Sequence, residues 1–527
     1  MQRLLAAGSR MVLLADVITP NPCAEIQVSR VSAGRAWLTS LLFAASSALA
    51  VAQAGGLGLF ADHTDIGGPK HAGTIVHDAG KNTYTIGGGG TNMWYKTDAF
   101  HFVWKKVEGD VALAADIAFP GAGGDAHRKG VLMIRQTLDH DSAYADVAFH
   151  GDGLTSLQFR DAAGDVTHEV QTAIKAPKRL RLEKVGDYVY MSLAGDDGVL
   201  KPSGCSTRLP FKGPFYIGLG VCAHNNEAFE TAVFSNVVIG PPSAEVTAVR
   251  SSLEFVYAAS ADRRSVYSTN DLIEAPNWTP DGAALIYNGG GRIYRLELTP
   301  GAKPELINTG TNIRCNNDHG LTPDGKTLII SDGLKDGKSR IYTVPVTGGT
   351  PKEITPLAPS YWHGISPDGR TLAYCAQRDG KFGICTIPIE GGAETRLTTT
   401  DGLDDGPEFS PDGKWIYFNS DRTGLMQIWR MQPDGTNLTQ VTNDGYNNWF
   451  AHPSPDGKTL VMVTFAADVK GHPRDKDVML RSLPVAGGEM RVLVKLFGGQ
   501  GTINVPSWSP DSTKIAYVRY QPAQTAK

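Results

Sequence analysis

Apolar and polar residues alternate over short runs along most of the chain, and turns rich in Gly, Pro and Asp separate the runs. Alternation with a period of two is typical of β-strands that bury one face. Residues 55–240 show such runs, for example GVLMIRQT and FYIGLGVCAH, without a helical period of useful length. The pattern predicts an all-β protein whose first domain, over residues 55–240, is a β-sandwich.

The second half of the chain repeats a Pro-Asp-Gly turn preceded by Ser or Thr. The turn recurs at Pro280, Pro323, Pro367, Pro411 and Pro455, with a Pro-Asp-Ser variant at Pro510. The intervals are 43, 44, 44, 44 and 55 residues. An apolar strand such as TLIIS follows each turn, and a second strand such as RIYTVPV comes after it. A four-stranded unit of this length is the period of a propeller blade.

The count of units predicts how the ring closes. Five blades are complete, and the last unit has only two strands before the chain ends. Two further strands between Ser252 and Asn270 match the missing pair. We therefore predict a six-bladed propeller over residues 251–522, closed by N- and C-terminal strands in the last blade, with 523–527 as a tail. The sequence GPPSAE breaks the β pattern and predicts a linker over 241–250.

One apolar stretch near the N-terminus, Ala36–Ala52, is followed by the small-x-small pattern Ala52-Gln53-Ala54. Arg30 and Arg35 precede it. The stretch is shorter than the roughly 20 residues of a membrane anchor, which is the alternative. We expect residues 1–54 to be a cleaved signal peptide, and the protein to be periplasmic or secreted with no membrane span after cleavage.

Cleavage would leave five cysteines in the mature chain: Cys205, Cys222, Cys315, Cys375 and Cys385. In an oxidising compartment, Cys375 could bridge to Cys385 across a hairpin, and Cys205 could pair with Cys222. Reduced, buried thiols are an equally good interpretation of either pair. Both alternatives stay open.

Composition excludes several classes of function. The chain is 41% hydrophobic, which is too apolar for a disordered protein. It has 50 Lys+Arg against 54 Asp+Glu, and this near-neutral balance argues against a nucleic-acid partner. Function must therefore be sought in local sites.

Polar residues gather in the segments that lead into the innermost strand of each predicted blade. Antiparallel alternation places these segments, and the loops between second and third strands, around one mouth of the central channel. His319 and His363 both lie three residues before the Ser or Thr of the turn, and His452 lies one residue later. We predict that imidazoles from three blades point toward one axis.

Three interpretations of these histidines stay open. Neutral imidazoles suit Mn, Zn or Fe, so His319, His363 and His452 are candidate ligands of a divalent metal, with Mn, Zn or Ca as the expected cofactor. A metal-free acid–base or ligand site is the second interpretation, and a wet channel without a ligand is the third. Asp405 is a candidate catalytic carboxylate. The other predicted ligand-binding residues are Asn317, Asp318, Trp362, Glu408, Asn448, Trp449, Gln500 and Asn504.

The long fifth interval places extra residues in a loop on the same face, over 468–477. This loop carries His472, Arg474 and Lys476, which are further catalytic candidates.

Two resemblances accompany these patterns. The Ser/Thr-Pro-Asp-Gly-Lys/Arg turn, the aromatic after it and the Ile-Tyr or Ile-Trp strand of each blade resemble the TolB-like propeller family over about 251–521. The resemblance implies the fold more than the function, since such repeats serve binding proteins and enzymes alike. Gly130–Arg135, the strand pair RLRLEKVGDYVYMSLA and Phe234–Val237 resemble the concanavalin-like jelly rolls that accompany carbohydrate-active modules.

The histidines also resemble, in part, the metal site of oligogalacturonate lyases, which are propellers of similar repeats. That resemblance implies a metal held by His319, His363 and His452 that neutralises a uronate carboxylate. His472, Arg474 or Lys476 would then bind the carboxylate or act as the base. The chain lacks that family's clustered Gln, its paired histidines on one strand and its seventh blade.

Three functions follow as alternatives. The first is a carbohydrate-active lyase or hydrolase with an oligosaccharide or cell-wall polymer as partner. The second is a non-catalytic TolB-like protein that docks periplasmic proteins or serves envelope or biopolymer transport. The third is a sugar-binding protein without chemistry. A Ser nucleophile elbow, a Walker loop, a Rossmann fingerprint and an HExxH helix are absent from the sequence.

Overall fold

The computed structural model of the chain describes residues 56–121 and 123–522. The predicted signal peptide and tail, 1–54 and 523–527, lie outside these residues. Within them the chain forms 39 strands and one short helix, α1 (Ala244–Ala248), so the all-β prediction is confirmed. None of the helical structure in these residues is long and apolar enough to cross a membrane.

Residues 62–240 form two large sheets that share one hydrophobic core, and a small two-stranded sheet. Val147 and Leu219 of one sheet and Leu182 and Phe234 of the other are fully or almost fully buried in this core. The strands are β1 (Asp62–Ile66), β2 (Thr74–Asp78), β3 (Thr83–Gly88), β4 (Met93–Trp94), β5 (Thr97–Asp98), β6 (Phe100–Val107), β7 (Val111–Ala118), β8 (Lys129–Arg135), β9 (Tyr144–His150), β10 (Thr155–Arg160), β11 (His168–Gln171), β12 (Arg179–Val185), β13 (Tyr188–Ala194), β14 (Leu200–Arg208), β15 (Phe215–Cys222) and β16 (Glu230–Gly240).

The second half contains five separate four-stranded sheets, each built from consecutive antiparallel strands. These are blade 1, β19 (Ile273–Trp278), β20 (Ala284–Gly289), β21 (Arg292–Glu297) and β22 (Glu305–Ile307); blade 2, β23 (Cys315–Leu321), β24 (Thr327–Asp332), β25 (Arg340–Pro345) and β26 (Lys352–Glu353); blade 3, β27 (Ser360–Ile365), β28 (Thr371–Arg378), β29 (Lys381–Pro388) and β30 (Thr395–Arg396); blade 4, β31 (Asp404–Phe409), β32 (Ile416–Ser420), β33 (Gln427–Met431) and β34 (Thr439–Gln440); and blade 5, β35 (Tyr446–Pro453), β36 (Thr459–Ala466), β37 (Lys476–Pro484) and β38 (Arg491–Gly498).

Each Pro-Asp-Gly turn joins the first two strands of a blade in the same way. In blade 4 the Ser410 hydroxyl donates to Asp412 Oδ1 at 2.6 Å and accepts the Trp415 N–H at 3.0 Å. Gly413 takes a φ of +70°, which glycine adopts without steric cost. The repeat seen in the sequence is therefore a hydrogen-bonded turn that sets strand pairing.

The prediction of six blades is wrong: the structure has five four-stranded blades. The remaining propeller strands are β17 (Ser251–Tyr257), β18 (Arg263–Thr269) and β39 (Lys514–Tyr520). As predicted, β17 pairs with β39, but β18 pairs in parallel with β11, so all three belong to a ten-stranded sheet that extends into the first half. The segment expected to be the innermost strand makes only one bridge, Trp508 to Ile515.

Buried ion pairs reinforce this junction. The Glu254 carboxylate accepts Arg519 Nε at 2.9 Å and lies 3.5 Å from Arg263 Nη1. The same two arginines donate to the carbonyls of Gly204 and Ser206 in β14, both at 2.8 Å. One carboxylate thus holds two cations that also bind the N-terminal sheets.

All five described cysteines are free and buried, so the reduced interpretation holds. Strand register explains this for the hairpin pair. Cys375 pairs with Ile384 and Cys385 with Tyr374, so the two cysteines sit one position out of register. Successive side chains point to opposite faces of a sheet, and the two thiols therefore face apart.

Candidate functional site

A cavity of about 480 Å³ lies where the first strands of blades 2 to 5 converge with the segment 500–504. We call it the channel cavity. Its lining residues are Asn316, Asn317, Asp318, Tyr361, His363, Cys375, Phe382, Leu403, Asp405, Phe450, His472, Gln500 and Asn504. Seven of these were predicted from the sequence as site residues: Asn317, Asp318, His363, Asp405, His472, Gln500 and Asn504.

Irregular pairing of the first strands decides which side chains reach the cavity. The register of β27 with β28 shifts between Trp362 and Gly364, so His363 is the extra, unpaired residue of a bulge. His319 has the same offset from its turn, but it is regularly paired with Ile330 and lies outside the lining. A bulge bends the strand and re-aims a side chain, so equal offsets do not give equal positions.

His363 is held between two acceptors. Its Nε2 lies 3.2 Å from Asp405 Oδ1, and its Nδ1 lies 3.2 Å from the Asn504 carbonyl oxygen. Carboxylates and carbonyls only accept, so both ring nitrogens carry hydrogen and the imidazole is a cation. Burial opposes this charge, but Asp318 and Asp405 raise the pKa of His363 to about 9.

The two cavity carboxyls differ sharply. Burial acts against the Asp405 charge, yet hydrogen bonding and attraction from His363 lower the Asp405 pKa to about 2. Asp318 has no such bonded partner, and burial raises its pKa to about 7 even though His363 pulls it down from a distance. At neutral pH Asp405 is an anion and Asp318 exchanges its proton readily.

His472 completes the ionisable set. Its Nε2 lies 3.7 Å from Asp405 Oδ2, and its ring meets those of Trp449 and Phe450 edge-on at 4.5 and 5.1 Å. Burial lowers the His472 pKa, so this imidazole is neutral at pH 7. Its Nδ1 is buried and has no hydrogen-bond partner in the described part of the chain.

The three predicted metal ligands do not converge. His319 is fully buried outside the cavity lining, and burial lowers its pKa to about 4. His452 is also outside the lining: Nδ1 contacts Glu408 Oε2 at 2.5 Å, and Nε2 contacts the Ile503 carbonyl. Among the described residues, no group of three or more His, Cys, Asp or Glu side chains could hold a metal ion. The predicted ligand set does not fit a metal, and we derive no step through one.

Several predicted ligand-binding residues have structural roles. Trp362 and Trp449 are each 1% exposed and pack in hydrophobic cores, so neither presents a face for a sugar. Asn448 is fully buried and bonds to Thr464 and Arg481. Glu408 is committed to His452. Their polar and aromatic chemistry stabilises the blades.

The loop residues Arg474 and Lys476 also lie outside the cavity lining. Arg474 Nη1 is 3.5 Å from Glu274 Oε1, and the Arg474 side chain, which is 40% exposed, acts as a counter-charge to that partly buried carboxylate. Lys476 begins β37 and is exposed. Of the predicted base candidates, only His472 lines the cavity.

Sequence reasoning missed the apolar wall of the cavity. This wall is formed by Tyr361, Phe382, Leu403 and Phe450. Two of them, Tyr361 and Phe450, are neighbours of predicted site residues. The sequence feature that could have identified Tyr361 and Phe450 is an aromatic residue beside a polar residue in the first strand of a blade. Phe382 has no such feature, because it belongs to a hairpin of blade 3.

Comparisons with known proteins place the second half of the chain. The family model described as the TolB beta propeller domain matches residues 355–524. An uncharacterized protein of Agrobacterium fabrum is 50% identical over 276 residues, which cover 52% of this chain and 94% of that protein. The Tol-Pal system protein TolB of Francisella tularensis is 26% identical over 46% of this chain and 55% of its own length.

Solved structures agree on the fold. A structure from Agrobacterium tumefaciens, provisionally assigned as TolB, is 51% identical with a TM-score of 0.51 and covers 52% of this chain and 99% of that chain. An oligogalacturonate lyase in complex with manganese is 16% identical, covers 47% of this chain and 90% of that chain, and has a TM-score of 0.33, so it carries no inference about substrate or metal. Given the Agrobacterium fabrum relative and the matching family model, the chain belongs to the TolB beta propeller domain family.

Proposed function

We propose that this protein is a non-catalytic, TolB-like component of the cell envelope that binds a polypeptide segment of a partner in the channel cavity. The Tol-Pal system protein TolB of Francisella tularensis supports a partner in such an assembly. The sequence pattern of residues 1–54 supports export, so the proposed location is the periplasm.

The observation that carries this proposal is how the cavity charges are arranged. Asp405 is already engaged by His363, which is itself held by the Asn504 carbonyl. The Cys375 thiol donates to the Asp404 carbonyl at 3.4 Å, and burial raises its pKa well above the usual value, so it is not a ready nucleophile. The lining amides and aromatic rings match the needs of a polar binding site.

The test is binding of a partner segment to the exported protein. We expect an affinity-selected pentapeptide library to be enriched on wild type and not on a variant in which the bulky substitution Asn317→Trp fills the cavity. Folding of the variant is checked by its circular dichroism spectrum. Equal enrichment on both proteins would place peptide binding elsewhere and contradict the proposal.

A second candidate function is an acid–base enzyme acting on oligosaccharides. Asp318 favours it, because a carboxyl with a pKa of about 7 can exchange a proton at neutral pH. A screen of uronate-containing oligosaccharides for an absorbing unsaturated product tests it, with Asp318→Asn as the variant that should lose activity. Elemental analysis of the same purified protein tests the metal prediction.

A further inference from the structure

We infer that the channel cavity binds the free amino terminus of a polypeptide, with the terminal ammonium group against Asp318. This rests on the proposed function and names the part of the partner that is recognised. The inference stands on a buried carboxyl that forms no ion pair with the described residues, on the charge balance of the cavity and on the acceptors around it.

Asp318 is a buried acid that forms no ion pair with any described residue. It is 5% exposed, it lines the cavity, and its own N–H is bound to Asn316 Oδ1 at 3.0 Å. Its side chain has a hydrogen bond with the neutral Asn316 and is attracted by the His363 cation only from a distance, so its charge remains costly to bury. A cationic ligand would supply the missing partner.

The charges of the cavity lining favour a cationic ligand. The His363 cation faces two carboxyls, Asp405 at 3.2 Å and Asp318 at longer range, and Arg474 lies 3.5 Å from Glu274. When Asp318 is ionised, His363, Asp405 and Asp318 together carry one negative charge in excess. A ligand with a carboxylate, such as a uronate, would be repelled there, whereas a cation would be attracted.

The acceptors favour an ammonium group over a guanidinium. A guanidinium donates in a planar fork, while an ammonium is compact and donates in three directions. The cavity offers separate acceptors, namely the Asp318 carboxyl and side-chain amide oxygens.

The rest of the lining suits the peptide that follows the amino terminus. Asn316, Asn317, Gln500 and Asn504 can donate to and accept from peptide groups, and Tyr361 and Phe382 supply apolar contact. An amino terminus carries the ammonium group and the peptide groups that follow it, so it matches both the charge and the polar lining of the cavity.

The test is a competition within one peptide library. Random pentapeptides without Lys, Arg, Asp or Glu, amidated at the C-terminus, are prepared with free and with acetylated amino termini and mixed equally. Mass spectrometry measures the ratio retained by the full-length protein at pH 7.5. We expect free-amine peptides to be enriched at least tenfold over acetylated ones on wild type, and Asp318→Asn to reduce the ratio to near one.

The control is Asp379→Asn, the same chemical change in the turn between β28 and β29, where the side chain is 99% exposed. It should keep the wild-type ratio. Equal retention of both peptide forms on wild type would overturn the ammonium inference and leave peptide binding intact. Retention of neither form above a protein-free column would overturn the proposed function as well. Tighter binding of glucosamine than of the free-amine pool would overturn the polypeptide assignment.

Discussion

Three neighbouring buried groups in the channel cavity are held in different protonation states. His363 is a cation because two acceptors surround it, Asp405 is an anion because that cation bonds to it, and burial raises the Asp318 pKa to about 7 because only the neutral Asn316, and no bonded cation, offsets it. Burial penalises charge in all three, so bonding geometry decides the outcome. Keeping one buried acid without an ion pair lowers the stability of the free protein, and a cationic ligand that pairs with it gains affinity from the same contact.

The first prediction concerns Asp318 and pH. Its pKa of about 7 in the folded chain exceeds the unfolded value of 3.8, so the folded state binds more protons between pH 4 and 7. Below pH 4 this group makes its full contribution to the free energy of unfolding, and that contribution is lost as pH rises to 7. Between pH 4 and pH 8, we expect the free energy of unfolding of Asp318→Asn to rise by about 2–4 kcal/mol relative to that of wild type.

Urea unfolding at several pH values measures this difference, and Asp379→Asn serves as the exposed control. A wild-type-minus-variant difference that is flat with pH would mean that Asp318 titrates normally.

At the scale of elements, the first strands of blades 2 to 5 carry most of the site, and their register irregularities decide which of their side chains line the cavity. The strands of blades 2 to 5 all shift register against their neighbours near the cavity. The neighbouring blade must then approach the bulged strand closely. At Gly364 an added Cβ would lie 2.7 Å from the Pro407 carbonyl oxygen of blade 4.

The second prediction is that Gly364→Ala separates blades 3 and 4. The added Cβ would clash with a backbone atom, which cannot rotate away as a side chain can. We therefore expect the free energy of unfolding to fall by about 1–3 kcal/mol. Gly445→Ala is the matched control, because an added Cβ there meets nothing within 4 Å. Thermal unfolding compares the two variants. Similar melting temperatures would show that the blades can part without cost.

At the scale of the whole molecule, one sheet runs from the first half of the chain into the propeller. Strands β11 and β18 pair in parallel, and Glu254 holds two arginines that donate to carbonyls of β14. Main-chain pairing and a buried charge network therefore act at the same junction. Such a shared sheet couples the unfolding of the parts it joins.

The third prediction is that Glu254→Gln destabilises both parts together. Removing this carboxylate leaves Arg263 and Arg519 buried without their counter-charge, which costs about 3–5 kcal/mol. We expect one calorimetric transition in wild type and one transition at lower temperature in the variant. Two separate transitions, only one of them shifted, would show that the halves unfold independently.

The sequence was a good guide to the repeated elements and a partial guide to the site. Each Pro-Asp-Gly turn and the strand after it were visible, because turn residues and alternation act locally. Asp318, His363, Asp405 and His472 were found in the segments and the loop where the cavity lies. Trp362 and Trp449 were misassigned, since a buried and an exposed aromatic look alike in a strand.

Local chemistry determined by itself that this chain is all-β, that its second half is a repeated propeller and that polar residues gather at one channel mouth. Tertiary structure alone decided the rest. Strand β18 paired with β11, and no sixth four-stranded blade formed, because an edge strand pairs with whatever backbone reaches it. His363 entered the cavity and His319 did not, because a bulge changes direction without changing spacing. Pairing and register are properties of two strands at once, and no single segment encodes them.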